Sequence, residues 1–255
     1  MIDWLYPCPT LYAGTLIQRY KRFFVDVALD SGQVVTAHCA NTGPMTGVCT
    51  PGSAVYLSHS DSPKRKLQYT LELIQVQDNG PTWVGVNTGL PNRVMQKALQ
   101  DHCIPELEPY QVIKTEVPYG RNGKSRIDFV LSGDRGDAPT YVEVKNTTWA
   151  QGTLALFPDT ITTRGQKHLQ ELMALRPAMR SVMLYFINRG DCLQFAPGDG
   201  ADPLYGQLLR QAVAEGVEVL PCRFDVSPEG VRYLGLAELD YTTLYRSTGD
   251  ILDLV

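Results

Sequence analysis

RIDFVLSGDRGDAPTYVEVKNTTW, residues 126–149, decides how the second half of the chain is read. Two apolar runs flank the loop SGDRGDAPT, whose Gly, Asp and Pro residues can turn the chain so that the runs pair antiparallel. Successive side chains of a strand alternate faces, so Tyr141, Glu143 and Lys145 point one way and Val142 and Val144 the other. Antiparallel pairing would bring Asp128 towards Glu143. Two readings follow: a wet face on an edge strand, or a site that needs a carboxylate and an ammonium side by side.

Outward from this hairpin the grammar is mixed α/β. NRVMQKALQDH has helical spacing, with Val94, Met95, Ala98 and Leu99 facing inward. QVIKTEVPY, SRIDFVL and TYVEVKNTT are three strands, and TTRGQKHLQELMALR is a second helix capped by Thr162 or Thr163. SVMLYFIN reads as a buried strand, DPLYGQLLRQAVAEG as a helix and VEVLPCRF as a final strand. This order predicts an α/β domain with a mixed sheet over residues 81–255. Residues 1–80 carry short β-branched and aromatic runs separated by DSG, NTGPMTG and DNGP, which predicts a small all-β barrel or sandwich. An OB-like barrel is one candidate.

Mg²⁺ and Mn²⁺ prefer oxygen ligands, often one or two carboxylates completed by water and phosphate. Asp128 and Glu143 supply such a pair, with Glu116 in the preceding strand as a further carboxylate. Lys145 is placed to orient a water or to stabilise charge on phosphate. The second helix adds Arg164, Lys167 and His168 on one face near its N-terminus, where the helix dipole favours an anion. Arg126 lies beside Asp128. In the first domain, RYKRFF places Arg19, Lys21 and Arg22 among aromatics, and SPKRK places Lys64, Arg65 and Lys66 in a loop. Such residues can follow a phosphate backbone while aromatic rings offer stacking faces.

The composition excludes some classes. A 44% hydrophobic, 20% charged chain of 255 residues is an ordinary globular balance, with no run approaching a membrane span and no secretory signal in view. The six scattered cysteines form no CxxC pair, so reduced thiols and a cytoplasmic location are expected. The four histidines lack HExxH spacing, and neither GxSxG nor a Walker loop is present. The net charge of −4 neither supports nor excludes a nucleic-acid partner.

RYKRFFVDV, HCANTGPM, SPKRKLQYT, VGVNTGLPN, YGRNGKSRIDF, YVEVKNTTW, FPDTITTRGQKHLQEL and DPLYGQLLRQAVAEGVEV together resemble the sugar fermentation stimulation protein family. The resemblance implies an N-terminal OB-like domain and a C-terminal restriction-endonuclease-like domain of the PD-(D/E)XK class. On that class's pattern fall Asp128, Glu143 and Lys145, with Glu116 as a weaker match. It also implies DNA binding with little sequence preference and a regulatory link to maltose metabolism. The departures are the long SGDRGDAPT loop and Asn146 directly after the lysine. Nucleic-acid binding with a nuclease-like site is the expected function, and an active Mg²⁺-dependent phosphodiesterase the alternative. A homodimer is compatible with either, and no membrane partner is expected.

Overall fold

The computed structural model describes residues 4–120, 123, 125–133, 138–176 and 178–240. The chain runs β1 (Tyr6–Pro7), β2 (Leu11–Tyr20), β3 (Phe24–Leu29), β4 (Val34–His38), β5 (Ala54–His59), β6 (Tyr69–Val76), β7 (Thr82–Gly85) and α1 (Leu90–Gln100). There follow β8 (Val112–Tyr119), β9 (Ser125–Ser132), β10 (Thr140–Thr147), β11 (Trp149–Gln151), β12 (Leu154–Phe157) and α2 (Thr163–Leu175). The remainder is β13 (Arg180–Ile187), β14 (Gln194–Pro197), α3 (Pro203–Ala214), β15 (Glu218–Val226), β16 (Gly230–Leu236) and β17 (Glu238–Leu239).

The first unit is an OB barrel. Strands β4-β3-β2-β5-β6-β7 form one sheet, and a parallel pairing of His38 with Thr70 closes β4 onto β6. Alternate residues of β3 and β4, Val25, Val27, Leu29, Val35 and Ala37, fill the interior with Leu57, Leu71 and Ile74. β2 crosses β3 so closely that a Cβ on Gly14 would sit 2.6 Å from the Ala28 carbonyl oxygen. Closure leaves β4 and β6 no free edge where they meet.

The second unit is α/β, a seven-stranded mixed sheet ordered β1-β16-β15-β13-β10-β9-β8. β13 runs parallel to both β10 and β15 and is buried on both faces. Val182, Leu184 and Phe186 face the layer that holds α1, while Met183, Tyr185 and Ile187 face α2 and α3. That two-sided burial is why SVMLYFIN reads as an unbroken apolar run. The inward residues expected on α1 are all buried.

Three features differ from the sequence reading. The change of domain expected at residue 80 falls later by strand pairing, since β7 hydrogen-bonds to β6 in the barrel sheet. Tyr6 and Pro7, expected in the first unit, pair with Val231 and Gly230 of β16. VEVLPCRF is not the last strand, because β16 folds back antiparallel on β15 and β17 follows. A second small sheet, β11-β12-β14-β17, is built from strands of two to four residues, too short to show a period. Residues 134–137 of the expected hairpin turn lie outside the described residues. No helix among the described residues is long and apolar enough to cross a membrane. All six cysteines are free thiols.

Candidate metal and phosphate site

β10 lies between β9 and β13, so the edge-strand reading of Glu143 and Lys145 does not hold. The antiparallel ladder runs through Thr140–Leu131, Tyr141–Val130 and Val142–Phe129 and then stops. At the next step Asp128 replaces the ladder: its Oδ2 accepts the Val144 backbone N–H at 2.7 Å. Its Oδ1 accepts from Asn92 Nδ2 in the first turn of α1, also at 2.7 Å. The two strands part here, and the gap is held open by a carboxylate.

Val142 and Val144 pack into the apolar layer on the α1 side, as alternation requires. Glu143 and Lys145 therefore turn into the α2 and α3 layer, beside Met183 and Tyr185 of the neighbouring strand. Glu143 is only 3% exposed and the Lys145 side chain 12%. Lys145 Nζ donates to Glu143 Oε1 at 2.6 Å and lies 2.9 Å from His168 Nδ1. His168 Nδ1 also meets Glu143 Oε1 in a very close contact, and Arg164 Nε lies 3.4 Å from His168 Nε2. α2 delivers His168 because Thr162 caps it, its hydroxyl accepting the Gly165 N–H at 3.1 Å.

The two carboxylates are pushed apart in acidity. Burial and then the negative charge of Glu143 raise the Asp128 pKa above its ordinary value, against the two hydrogen bonds it accepts. Burial opposes ionisation of Glu143 as well, but Lys145 and His168 outweigh it and hold that carboxyl below the usual range. Glu143 Oε2 is buried with no hydrogen-bond partner among the described residues. An unpartnered carboxylate oxygen in a core is costly unless a cation or water meets it. With the Asp128 carboxylate nearby, this donor set fits a hard divalent ion. No group of three or more His, Cys, Asp or Glu forms a metal cage among the described residues. Two carboxylates would leave the other positions to water and phosphate, the arrangement Mg²⁺ tolerates best.

The other expected residues divide. Glu116 lies on β8 at the step opposite Asp128 of β9, which the ladder skips between Thr115–Phe129 and Val117–Ile127; it is solvent-exposed with φ +51°, and no carboxylate cluster among the described residues includes it. The left-handed backbone rotates it off the pleat, so it is not brought to Glu143. Arg126 donates to the Glu116 carbonyl oxygen and remains exposed. Arg164 and Lys167 are exposed on the first turns of α2. Lys167 donates to Ser125 Oγ at 2.9 Å and pairs with Glu171. His168, expected at phosphate, is buried against Glu143 and Lys145 and cannot reach a backbone in solvent.

On the barrel, Lys21 and Arg22 form the exposed β2–β3 turn, and Lys64, Arg65 and Lys66 an exposed loop. Arg65 and Lys66 line an open hollow of about 280 Å³ with His38 and Leu67. Arg19 is different. Its guanidinium is spent on the carbonyl oxygens of Arg22, Asn41, Gly43 and Pro44, so it braces a loop rather than offering a free cation. The sequence reading missed Asn92, whose only local signal is its place at the start of a Pro-initiated helix.

The chain matches two family profiles: "SfsA N-terminal OB domain" over residues 17–86 and "Sugar fermentation stimulation protein RE domain" over residues 89–230. It is 70% identical over 239 residues to a sugar fermentation stimulation protein homolog of Nostoc sp., covering 94% of this chain and 99% of that one. A homolog from Synechococcus elongatus is 66% identical over 92% of this chain and 98% of its own length. The solved structure of Pyrococcus furiosus SfsA in complex with Ca²⁺ superposes with a TM-score of 0.81 at 26% identity, over 93% of this chain and 99% of that one.

Proposed function

This chain belongs to the sugar fermentation stimulation protein family, and we propose that it is a nucleic-acid-binding protein carrying a divalent-metal phosphodiesterase site of the PD-(D/E)XK type. One observation carries the reading: a buried Glu-x-Lys pair in the middle of an apolar sheet, with the second glutamate oxygen unpartnered and aspartate at the adjoining gap. A protein that only gripped a phosphate backbone would gain nothing from buried carboxylates, which repel phosphate.

Asp128 and Glu143 would hold Mg²⁺ or Mn²⁺. A divalent ion there would lower the pKa of a bound water and offset the charge of a phosphate. Lys145, fixed by Glu143 Oε1 and His168, keeps an ammonium at the site for the attacking water or the phosphate oxygens. Arg164 and Lys167, exposed at the start of α2, would meet the backbone on one side. Lys21, Arg22, Lys64, Arg65 and Lys66 would extend contact over the barrel. These are point contacts to phosphate, which supports binding of DNA with little sequence preference. The relative from Pyrococcus furiosus was solved with Ca²⁺, a hard cation of the kind this donor set suits. Influence on sugar-metabolism genes, maltose genes among them, would act through this DNA contact.

Calorimetric titration of Mg²⁺ and Mn²⁺ into the wild type and into Asp128→Ala/Glu143→Ala tests the site, alongside cleavage assays on single- and double-stranded DNA and RNA. Metal binding and cleavage that both vanish in the double variant are expected. Salt-sensitive DNA binding without metal uptake or cleavage, unchanged in the variant, would leave a DNA-binding protein without the chemistry.

A further inference from the structure

At the end of β10, beside Asn146, a cavity of about 150 Å³ lies where the barrel meets the α/β unit. Trp149 and Leu156 give it aromatic and apolar wall, and Phe157 borders it with its ring packed on Tyr185 and Tyr205; Asn41, Thr88, Asn146, Thr148 and Asp159 give it polar wall. Asn146 follows Lys145 directly in β10 and faces away from it by alternation. A strand of nucleic acid crossing the end of β10 with a phosphate at Lys145 would therefore bring a neighbouring group to Asn146 and the cavity.

The cavity is built rather than incidental. The barrel loop that contributes Asn41 is held from below by Arg19, which donates to the carbonyl oxygens of Asn41, Gly43 and Pro44. From across the domain boundary the Asp159 carboxylate accepts the backbone N–H groups of Met45 and Thr46. Asn146 is oriented by Asn188, whose Nδ2 donates to Asn146 Oδ1 at 3.0 Å. Asn41 is oriented in turn, its Oδ1 accepting the Gly43 N–H at 2.9 Å. Both amides are thus fixed through their oxygens, which leaves their NH₂ groups without a partner among the described residues. Fixed donors beside aromatic rings are the requirements for reading a flat heterocycle edge-on.

The volume narrows the class of ligand. Pockets for drug-sized molecules run to roughly 300–1,000 Å³. A cavity of about 150 Å³ takes a single ring system. We propose that this cavity receives one unpaired nucleobase of the nucleic acid whose phosphate lies at the Asp128–Glu143–Lys145 site. The proposal rests on the phosphodiester reading of that site. It adds that the bound segment is single-stranded, or opened, at this nucleotide, because a base stacked and paired inside a duplex cannot enter a side pocket.

The test uses the full chain with Ca²⁺ and a fluorescein-labelled 12-nucleotide oligo-dT, measured by anisotropy. A series of oligonucleotides each carries one abasic position along the strand. The expected result is one position at which removing the base weakens binding about fivefold or more, within the range of base–aromatic stacking. Trp149→Ala and Asn146→Ala should weaken the intact oligonucleotide by a similar factor and abolish the difference from the abasic one. Two variants guard against a folding failure, which thermal melting would reveal in either.

Binding of every abasic oligonucleotide as tight as the intact one would overturn the base pocket and leave the phosphate site standing. So would variants that weaken intact and abasic oligonucleotides equally. Binding by neither intact nor abasic strands, with Mg²⁺ or Ca²⁺ present, would overturn both readings.

Discussion

Glu143 and Lys145 sit in register with Met183 and Tyr185, which pack as core on the same face of the next strand. Carbon would pack there without desolvating a charge. A buried ion pair is often no more stable than hydrophobic residues of its size, whereas removing one partner costs about 3–5 kcal/mol. Lys145→Met should therefore lower unfolding free energy by about 3 kcal/mol, because it strands the Glu143 carboxylate. Lys145→Met/Glu143→Leu should recover most of that loss and match or exceed the wild type, while metal uptake disappears. Urea unfolding of the two singles and the double gives the cycle. A double variant as unstable as the sum of its parts would mean the pair is there to hold the sheet, not to work. His168 is tied to the same two atoms, so its replacement perturbs the cluster without touching substrate.

Elements place these residues, and one side chain joins two of them. Asp202 caps α3 by accepting the Tyr205 N–H at 3.0 Å. It also accepts the Thr162 N–H at 2.9 Å and Gln166 Nε2, so it fixes the start of α2 as well. The residue is 1% exposed. A cap alone is worth about 1 kcal/mol; Asp202→Ala strands several buried donors and should cost about 3 kcal/mol. Chemical denaturation reads this, and a loss near 1 kcal/mol would show that only the α3 cap had been removed.

Local periodicity carried the sequence reading this far. Period two placed Glu143 opposite Val142 and Val144, helical spacing placed Val94, Met95, Ala98 and Leu99 inward, and a capping threonine, Thr162 or Thr163, marked the start of α2. None of these signals reports what a side chain meets across the fold. Arg19 looked like a free cation until its loop carbonyls were seen, and His168 looked like a member of an exposed stripe. Glu116 failed for a backbone reason, since its left-handed φ has no signature in a glutamate. β1 is two residues long, and its pairing with β16 bridges more than two hundred positions.

Across the whole molecule, the two units are joined by a buried cation at the seam. Arg189, 1% exposed, donates to Asp191 through Nε and Nη2, to Asp78 of the β6–β7 turn through Nη2, and to the Thr148 carbonyl oxygen through Nη1. It ties the barrel to the strand end that carries both candidate sites. Gly85 lies against the same seam: a Cβ there would fall 2.1 Å from Asn188 Oδ1, the neighbour of Arg189. Arg189→Leu should cost about 3 kcal/mol, as breaking a buried pair does. It should also loosen the β6–β7 turn against the α/β unit, which hydrogen exchange at residues 77–82 would detect.

The same pair sets a pH response. Burial opposes ionisation of Asp191, yet Arg189 outweighs it and holds the carboxyl below its ordinary value. A carboxylate whose folded pKa is depressed binds fewer protons folded than unfolded. Its contribution to stability is complete above the unfolded carboxylate value near 4 and is lost as pH falls through the lower folded value. Asp191→Asn removes that contribution, so the variant should be less stable than the wild type at neutral pH and the gap should shrink as pH drops below about 4. Melting temperatures from pH 7 down to pH 3 would follow it. A gap that stays constant over this range would place the acid sensitivity elsewhere and reduce Arg189 to a hydrogen-bonded spacer between the units.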